Sequence, residues 1–294
     1  MANLSVIVPA YNEAEGIPAV LEELEAVLTE APEVDAFEII VVDDGSTDGT
    51  AAVAEAAALG RPSVRVLFRE RNRGYGAAIK LGIRQAAHDL LAIVDGDGSY
   101  PVEKLPEMVR ASEGAEMVVG ARAPGVAQPI ARRFAKWVLT CLASYLAEEK
   151  IPDLNSGMRL FRREAVERYL HLLSQRFSFT TTLTLSMLCD DVPVRYVPIE
   201  LRPRTGSSKI RPVRDTLGFL LLIATTVTYF RPLKVLVPLA SVLFLAGVVK
   251  GFTNLVWYDA RVGPNLKTSD LLLLVAGVQV FALALIADLI SKRR

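Results

Sequence analysis

Residues 90–101 read LLAIVDGDGSYP, an apolar run that ends in two aspartates separated by one glycine. The run is bounded by turn residues, which is typical of a short strand buried on both faces of a parallel sheet. Because alternate residues of an extended chain share a face, Asp95 and Asp97 are expected to point into one space. Gly96 lets a ligand approach the backbone closely. Open α/β sheets bind ligands at the carboxyl ends of their strands, so we predict a binding site here.

The two aspartates suit an oxygen-seeking cation. With no His or Cys beside Asp95 and Asp97, Mg²⁺ or Mn²⁺ is favoured over zinc. A cation held there would bridge a diphosphate and stabilise it as a leaving group. An ordinary turn after a strand remains an alternative. A calcium EF-hand is excluded, since its sixth and twelfth positions would be Tyr100 and Pro106 instead of Gly and Glu.

Composition limits the class of protein. The 294 residues have room for one large domain or two smaller ones, and 33 basic residues balance 33 acidic ones, which gives no reason to expect a nucleic-acid partner. The mean hydropathy of +0.33 and the apolar last third indicate membrane segments. The cysteines, Cys141 and Cys189, indicate neither a disulfide framework nor a zinc site. The N-terminus begins directly with a strand-like run, so no signal peptide is expected.

Strands and helices are predicted to alternate, which favours an α/β fold with a mostly parallel sheet and helices on both faces. The predicted strands are residues 4–9, 37–42, 64–68, 90–94, 117–119 and 194–199. The predicted helices of this part are residues 14–30, about 50–59, 75–86, a segment after Pro101, and 177–189. The loops that follow the first four strands are expected to converge around one crevice.

The sequence lacks the motifs of several enzyme classes, which argues against those classes. The segment Gly74-Tyr75-Gly76 lacks the third glycine of a dinucleotide-binding fingerprint, because Ile79 stands there. The sequence has neither a P-loop nor a G-x-S-x-G elbow. With His88 and His171 as the only histidines, a histidine-based catalytic triad is not expected.

Four loop motifs together resemble the inverting glycosyltransferases of the GT-A fold, family 2. They are VPAYNE at 8–13, VDDGSTD at 42–48, NRGYG at 72–76 and DGD at 95–97. Two later segments, NSGMRLFRR at 155–163 and GSSK at 206–209, resemble the dolichol-phosphate mannose synthase branch, the polyprenyl-phosphate glycosyltransferases. The resemblance extends from about residue 4 to residue 230.

The resemblance implies a GT-A (Rossmann-like) sheet and an inverting transfer of a hexose from a nucleotide sugar, of the GDP-mannose or UDP-glucose type, to a polyprenyl or dolichyl phosphate. It also implies Mg²⁺ or Mn²⁺ as cofactor. The acceptor is already an anion and needs no general base, which agrees with the absence of histidine from the motifs. Two alternatives stay open: a membrane polysaccharide synthase of the same fold, although its Q-x-x-R-W motif is absent, and a non-catalytic membrane scaffold with a degenerate nucleotide-binding domain.

The resemblance also implies roles for individual residues. The residues that match metal ligands are Asp95 and Asp97, with Ser99 standing where relatives often have Gln. Those implied in nucleotide-sugar binding are Pro9, Tyr11, Glu13, Asp43, Asp44, Gly74, Asp95, Gly96 and Lys209. Those assigned to catalysis are Asp95, Asp97, Arg122 and Arg159. Because guanidinium groups match phosphate oxygens, we predict that some of Arg122, Arg132 and Arg133 bind the lipid phosphate or the donor diphosphate. The residues assigned to the lipid phosphate are Arg122, Arg132, Arg133, Asn155 and Ser156.

The remaining segments are expected to contact a bilayer. Residues 129–149 are predicted to form an amphipathic helix with a basic start, for which a membrane interface and core packing are both open. We predict a catalytic domain over 1–211, an interfacial helix over 212–231, and a C-terminal part, 232–294, with transmembrane helices at about 232–252 and 269–290. The basic residues near both ends of this hairpin predict that the catalytic domain and the C-terminus lie in the cytosol. We expect a plasma membrane of the bacterial or archaeal type. A homo-oligomer is left open.

Overall fold

The fold is given by a computed structural model, which describes residues 1–123, 140–141, 143–145, 147–175, 178–202, 212–257 and 266–292, with the backbone alone for 212–220. Most of the predicted amphipathic helix lies outside the described residues. The chain divides into two compact units, residues 1–220 and 221–294. Each unit is described separately.

The first unit is built on a seven-stranded sheet in the order β3-β2-β1-β4-β6-β5-β7. Its strands are β1 Ala2–Ala10, β2 Val34–Asp43, β3 Val64–Phe68, β4 Leu90–Ile93, β5 Met117–Arg122, β6 Arg159–Arg162 and β7 Val194–Ile199. Neighbouring strands are parallel except that β6 runs antiparallel to both β4 and β5. The predicted α/β fold is therefore confirmed, whereas no strand was predicted at β6.

Both units contain helices. In the described residues they are α1 Ile17–Glu30, α2 Thr50–Ala58, α3 Tyr75–Gln85, α4 Leu105–Ala111, α5 Arg163–Glu167, α6 Phe179–Cys189, α7 Pro212–Phe230, α8 Pro232–Val256 and α9 Thr268–Ser291. A short 3₁₀ turn, Val102–Lys104, precedes α4. Every residue of α6 is buried. Its threonines tolerate this because hydroxyls such as that of Thr184, which donates to the Thr180 carbonyl at 3.0 Å, bond to the preceding turn.

The central strands carry the core of the first unit. All four residues of β4 are buried, as expected of a strand covered on both faces. Helix α3 packs very closely on β1, since a Cβ added to Gly82 would lie 2.5 Å from Cγ2 of Ile7. The apolar interior thus holds the carboxyl ends of β1 and β4 side by side, which determines where the loops after them emerge.

The second unit contains a hairpin of two helices, α8 and α9, each long and apolar enough to cross a membrane. Glycines allow the two backbones to approach: a Cβ on Gly247 would lie 2.9 Å from the backbone nitrogen of Leu274, and one on Gly277 would lie 2.9 Å from that of Phe244. Small residues at such contacts are typical of helix pairs in membranes. The predicted helical hairpin is confirmed.

A polar cluster joins the two helices near their connection. The Asp270 carboxylate, fully buried, accepts a hydrogen bond from Nδ2 of Asn254 at 2.7 Å. Nζ of Lys250 lies 3.8 Å from Oδ1 of Asp270 and donates a hydrogen bond to Oγ of Ser269 at 2.9 Å. The cluster therefore links the end of α8 to the start of α9 through hydrogen bonds and one ion pair.

Candidate active site

The loops after β1 and β2 form one hydrogen-bonded unit. Asn12 lies in the left-handed region with φ 56°, where Asn is among the few tolerated side chains. Its backbone N–H donates to Oγ of Ser46 at 2.9 Å, and its side-chain oxygen accepts from the N–H of Thr47 at 2.9 Å. The N–H of Glu13 donates to Oγ1 of Thr50 at 2.9 Å. These bonds fix the segment that carries Tyr11 and Glu13, both partly exposed.

Asp43 and Asp44 are almost completely buried and hold the loops around them. Asp43 accepts hydrogen bonds from both the N–H and the hydroxyl of Ser46. Asp44 accepts from the N–H groups of Arg73 and Gly74, the latter at 2.6 Å. Gly74 has φ 104° just before α3, a conformation that favours glycine. The direct contacts with a nucleotide that the sequence predicts for both aspartates stay a prediction.

Asp95 and Asp97 follow β4 as expected, and each carboxylate is held by a neighbour. Oδ1 of Asp97 accepts hydrogen bonds from the N–H of Ser99 at 3.0 Å and from its hydroxyl at 2.6 Å. Oδ1 of Asp95 accepts from the hydroxyl of Tyr75 at 2.8 Å. Gly96 lies close to Pro9, because a Cβ on this glycine would stand 3.5 Å from the Pro9 carbonyl oxygen. Hydrogen bonds thus link the four predicted loops in succession, which confirms their convergence.

The loop before β6 reaches the carboxylate of Asp95 from the other half of the sheet. A Cβ on Gly157 would lie 2.6 Å from Oδ2 of Asp95, so only glycine lets this loop approach the carboxylate so closely. The N–H of Gly157 donates to the hydroxyl of Tyr100 at 2.7 Å. Asn155 and Ser156, predicted to bind the acceptor phosphate, precede this contact directly. Oδ1 of Asn155 accepts a hydrogen bond from Thr180 at 3.0 Å.

Arg159 lies in the interior, where it holds this loop. Its guanidinium donates to the carbonyls of Ser156 at 2.7 Å and Leu154 at 3.1 Å, and to the hydroxyl of Thr184 at 2.5 Å. Burial lowers the pKa of Arg159. The catalytic role expected of Arg159 stays a prediction, whereas the observed contacts give it a role in positioning residues 154–156.

Arg122, at the end of β5, pairs with the buried carboxylate of Asp153. Its Nε and Nη2 donate to the two carboxylate oxygens, with Nη2 to Oδ1 at 2.7 Å. Burial lowers the pKa of Arg122, but the hydrogen bonds and the charge of Asp153 raise it more, so the net shift is upward. Arg122 is therefore fixed in position and charged at neutral pH.

The tyrosines around Asp95 stay protonated. Burial and then the charge of Asp95 raise the pKa of Tyr75 well above its ordinary value. The same two causes, in the same order, raise the pKa of Tyr100 to about 12. Both hydroxyls therefore keep their hydrogens at neutral pH.

Sequence reasoning missed Tyr75, Tyr100 and Asp153. Tyr75 lies inside the NRGYG motif and Tyr100 inside the stretch 90–101, so their positions were a usable signal, whereas nothing in the sequence around Asp153 distinguishes it. Three predicted residues, Arg132, Arg133 and Lys209, lie outside the described residues. In the part of the chain that the structure describes, no three His, Cys, Asp or Glu side chains are grouped as metal ligands. Two carboxylates are nevertheless enough for Mg²⁺ or Mn²⁺, which commonly take their other ligands from water and substrate phosphates.

A mostly parallel sheet with an aspartate pair after its central strand and loops from both halves around it defines a GT-A glycosyltransferase. A crystal structure of glucosyl-3-phosphoglycerate synthase from Mycobacterium tuberculosis, in complex with Mn²⁺, uridine diphosphate and phosphoglyceric acid, has the same fold. It superposes with a TM-score of 0.56 at 22% identity, covering 77% of this chain and 78% of that one.

The sequence profile of glycosyl transferase family 2 matches residues 5–170, and that of the GtrB C-terminal hairpin matches residues 231–292. The chain belongs to glycosyl transferase family 2. It is 32% identical over 219 residues to an undecaprenyl-phosphate mannosyltransferase of Micrococcus luteus, covering 69% of this chain and 86% of the relative. It is 30% identical over 252 residues to an undecaprenyl-phosphate 4-deoxy-4-formamido-L-arabinose transferase of Yersinia pestis, covering 83% of this chain and 73% of the relative.

Proposed function

We propose that this glycosyltransferase transfers a hexose from a nucleotide sugar to a polyprenyl phosphate at the cytosolic face of a membrane. The observation that carries the proposal is the contact between Asp95 and Gly157. It joins the loops after β1 to β4, here called the donor loops, to the loop at 153–158 before β6, here called the predicted acceptor loop. Two relatives named for transfer to undecaprenyl phosphate support the same acceptor. The membrane-length hairpin would keep the enzyme beside a lipid acceptor.

On the donor side, Asp95 and Asp97 would hold a divalent cation, Mg²⁺ or Mn²⁺. When bound, the cation would neutralise the charge that develops on the leaving nucleoside diphosphate. Ser99 would orient Asp97 through the hydrogen bonds described above. The unit formed by the loops after β1 and β2, with Tyr11 and Glu13, would receive the nucleotide of a donor of the GDP-mannose or UDP-glucose type.

On the acceptor side, Arg122 would bind the lipid phosphate. Its Nε–Nη2 edge is used by Asp153, so we assign Nη1 to a phosphate oxygen. Asn155 and Ser156 would line the same space from the loop that contacts Asp95. Arg132 and Arg133 are included as further ligands of the lipid phosphate on the basis of the sequence alone.

The reaction would proceed by direct displacement. An oxygen of the acceptor phosphate would attack the anomeric carbon from the side opposite the diphosphate, and the bond from that carbon to the diphosphate oxygen would break with inversion. A phosphate dianion is already a nucleophile, so no residue needs to remove a proton. Arg122 would orient the acceptor, and the protonated Tyr75 and Tyr100 would keep the loops around Asp95 in place.

The test is a transfer assay on the full-length protein in detergent. Polyprenyl phosphate and Mg²⁺ are incubated with radiolabelled GDP-mannose, UDP-glucose or UDP-N-acetylhexosamine in separate reactions, and the label extracted into organic solvent is counted. We expect one of the donors to transfer its label to the lipid extracted into organic solvent. This transfer should be lost when Mg²⁺ is chelated and in the variant Asp97→Asn. The exposed Asp35 provides the matched control, Asp35→Asn, which should retain transfer.

Other results would overturn the assignment. Label recovered as a water-soluble polymer would indicate a polysaccharide synthase, and the absence of both turnover and donor hydrolysis would indicate a scaffold. The proposed orientation is tested separately by fusing green fluorescent protein or alkaline phosphatase to the C-terminus. We expect fluorescence without phosphatase activity, and the opposite pattern would place the C-terminus outside the cytosol.

A further inference from the structure

Tyr75 reaches the predicted cation site from a different element than the aspartates. It is the first residue of α3, and its hydroxyl donates to Oδ1 of Asp95 at 2.8 Å. Asp97 is oriented within its own loop by Ser99, at 2.6 Å from the Ser99 hydroxyl. The hydrogen bond from Tyr75 therefore makes the orientation of Asp95 depend on the position of α3.

The other oxygen of the same carboxylate is confined as well. Oδ2 of Asp95 lies against Gly157, 2.6 Å from where a Cβ would be. A hydroxyl on one side and a glycine backbone on the other leave the carboxylate little rotational freedom. The direction of its remaining lone pairs is thus set by residues from two other loops.

The position of Tyr75 is fixed in turn by the donor loops. The N–H of Gly74, the residue before it, donates to the buried carboxylate of Asp44 at 2.6 Å. A continuous series therefore runs from Asp44 through Gly74 and Tyr75 to Asp95. Any shift of the loop at residue 74 would be transmitted to the carboxylate of Asp95.

We propose that Tyr75 is a positioning residue for the cation site, because its hydroxyl sets the orientation of the Asp95 carboxylate and thereby the affinity for a divalent cation. This inference rests on the proposed function, in which Asp95 and Asp97 hold the cation. Hydrogen-bond partners of metal ligands commonly change metal affinity or activity by about 10- to 100-fold when they are removed. Tyr75→Phe removes the hydroxyl and leaves the ring.

The experiment measures Mn²⁺ binding directly, from the loss of the electron paramagnetic resonance signal of the free ion. The full-length protein in detergent is titrated with Mn²⁺ alone, with UDP and with GDP. We expect Tyr75→Phe to weaken Mn²⁺ binding by about 10-fold or more and Asp95→Asn to weaken it further. The matched control is Tyr169→Phe, which removes another tyrosine hydroxyl that donates to a carboxylate, Oδ2 of Asp190 at 2.7 Å, and should bind Mn²⁺ like the wild type.

The outcomes separate this inference from the proposed function. Wild-type Mn²⁺ affinity in Tyr75→Phe, together with weak binding by Asp95→Asn, would overturn the role of Tyr75 alone. Wild-type affinity in Asp95→Asn, or no binding by the wild type in any mixture, would overturn both the role of Tyr75 and the cation assignment. The transfer assay decides on its own whether a polyprenyl phosphate is glycosylated.

A kinetic comparison distinguishes positioning from general damage. In donor turnover, Tyr75→Phe should need about 10-fold more Mn²⁺ for half-maximal rate, while kcat at saturating Mn²⁺ returns to near the wild-type value. A fall in kcat at an unchanged Mn²⁺ requirement would overturn the inference. Melting temperatures of Tyr75→Phe and Tyr169→Phe, compared side by side, show whether either variant is misfolded.

Discussion

Arg122 and Asp153 form a two-point ion pair that joins the end of β5 to the loop before β6. Nη2 of Arg122 donates to Oδ1 at 2.7 Å, and the backbone N–H of Arg122 donates to Oδ2 at 3.2 Å. Asp153 also accepts from the N–H of Asn155 at 3.1 Å. One buried carboxylate therefore fixes both a cationic side chain and the start of the predicted acceptor loop.

Asp153→Ala should destabilise the protein and slow transfer. The Arg122 side chain is 27% exposed and would lose a charged partner, so we expect a loss of about 2 kcal/mol in the free energy of unfolding. Turnover should fall together with it, because Arg122 would no longer be oriented. The control is Glu164→Ala, which breaks an exposed pair with Arg168 and should change neither quantity. A wild-type melting temperature in Asp153→Ala would contradict the prediction.

Gly157→Ala should reduce turnover more than stability. The new methyl group would stand 2.6 Å from Oδ2 of Asp95, so the carboxylate or the loop must move. A displacement of about 1 Å at a reacting site can cost about 100-fold in rate, and we expect a loss of that order. Initial rates and melting curves of the two proteins test this. Normal rates would mean that the loop adjusts without moving Asp95.

Arg159→Met tests whether this arginine positions a loop or contacts substrate. The substitution keeps an unbranched side chain but removes the donors to Leu154, Ser156 and Thr184. We expect the free energy of unfolding to fall by about 3 kcal/mol, with transfer lost as well.

The matched control is Arg163→Met, since Arg163 donates to the carbonyls of Ile83, Ala86 and His88 at 2.6–2.8 Å. It should lose stability yet keep activity. An inactive but fully stable Arg159→Met would instead support the catalytic role predicted from the sequence.

Tyr196→Phe should remove a source of alkaline instability. Within the described residues its hydroxyl is buried without a hydrogen-bond partner. Burial is the main cause that raises the pKa of Tyr196 from 10.0 to about 12, with Glu149 and Asp153 adding to it and Arg159 opposing it. A raised pKa favours the folded state below pH 10, and that contribution is lost as the pH rises through 12.

At neutral pH, Tyr196→Phe should be as stable as the wild type or more stable by about 1 kcal/mol. Its advantage should widen between pH 10 and pH 12, because only the wild type then has this buried hydroxyl to ionise. Unfolding curves at pH 8, 10, 11 and 12 measure both effects. A constant difference across this range would contradict the assigned cause.

Gly277→Ala should weaken the hairpin. Its methyl group would lie 2.9 Å from the backbone nitrogen of Phe244, and backbone atoms cannot move aside without separating the helices. We expect a loss of about 1–3 kcal/mol, the usual range for overpacking. Gly251→Ala is the matched control, because its methyl group would meet the end of the Leu266 side chain at 3.1 Å. A thermal melt in detergent should show a smaller shift for Gly251→Ala.

The sequence was sufficient for the parts of the structure that depend on periodicity. Strand and helix alternation predicted the α/β sheet, and apolar length predicted α8 and α9. Strand β6 was missed because its four residues, RLFR, carry no alternation, and its antiparallel placement is set by pairing with β4 and β5, which lie far from it in the sequence.

Side-chain orientation within the site was harder to predict than its location. The loops converge as expected, but Arg159 is fully buried, a rare position for arginine that sequence patterns do not indicate. Asp43 likewise points into its own loop, where it accepts hydrogen bonds from Ser46. Asp44 points instead to the loop after β3, where it accepts from the N–H groups of Arg73 and Gly74. Such orientations depend on contacts between loops that are distant in the sequence.

The reversed direction of β6 has a consequence for how the family can diversify. An antiparallel strand begins at the edge of the sheet where its parallel neighbours end, so the segment before Arg159 arrives beside Asp95 and the chain then leaves on the opposite side. The segment between β5 and β6 consequently connects two adjacent strands of the sheet. On the proposed function, exchanging the segment between β5 and β6 with that of a relative is expected to change which molecule receives the sugar and to leave Asp95 and Asp97 unchanged.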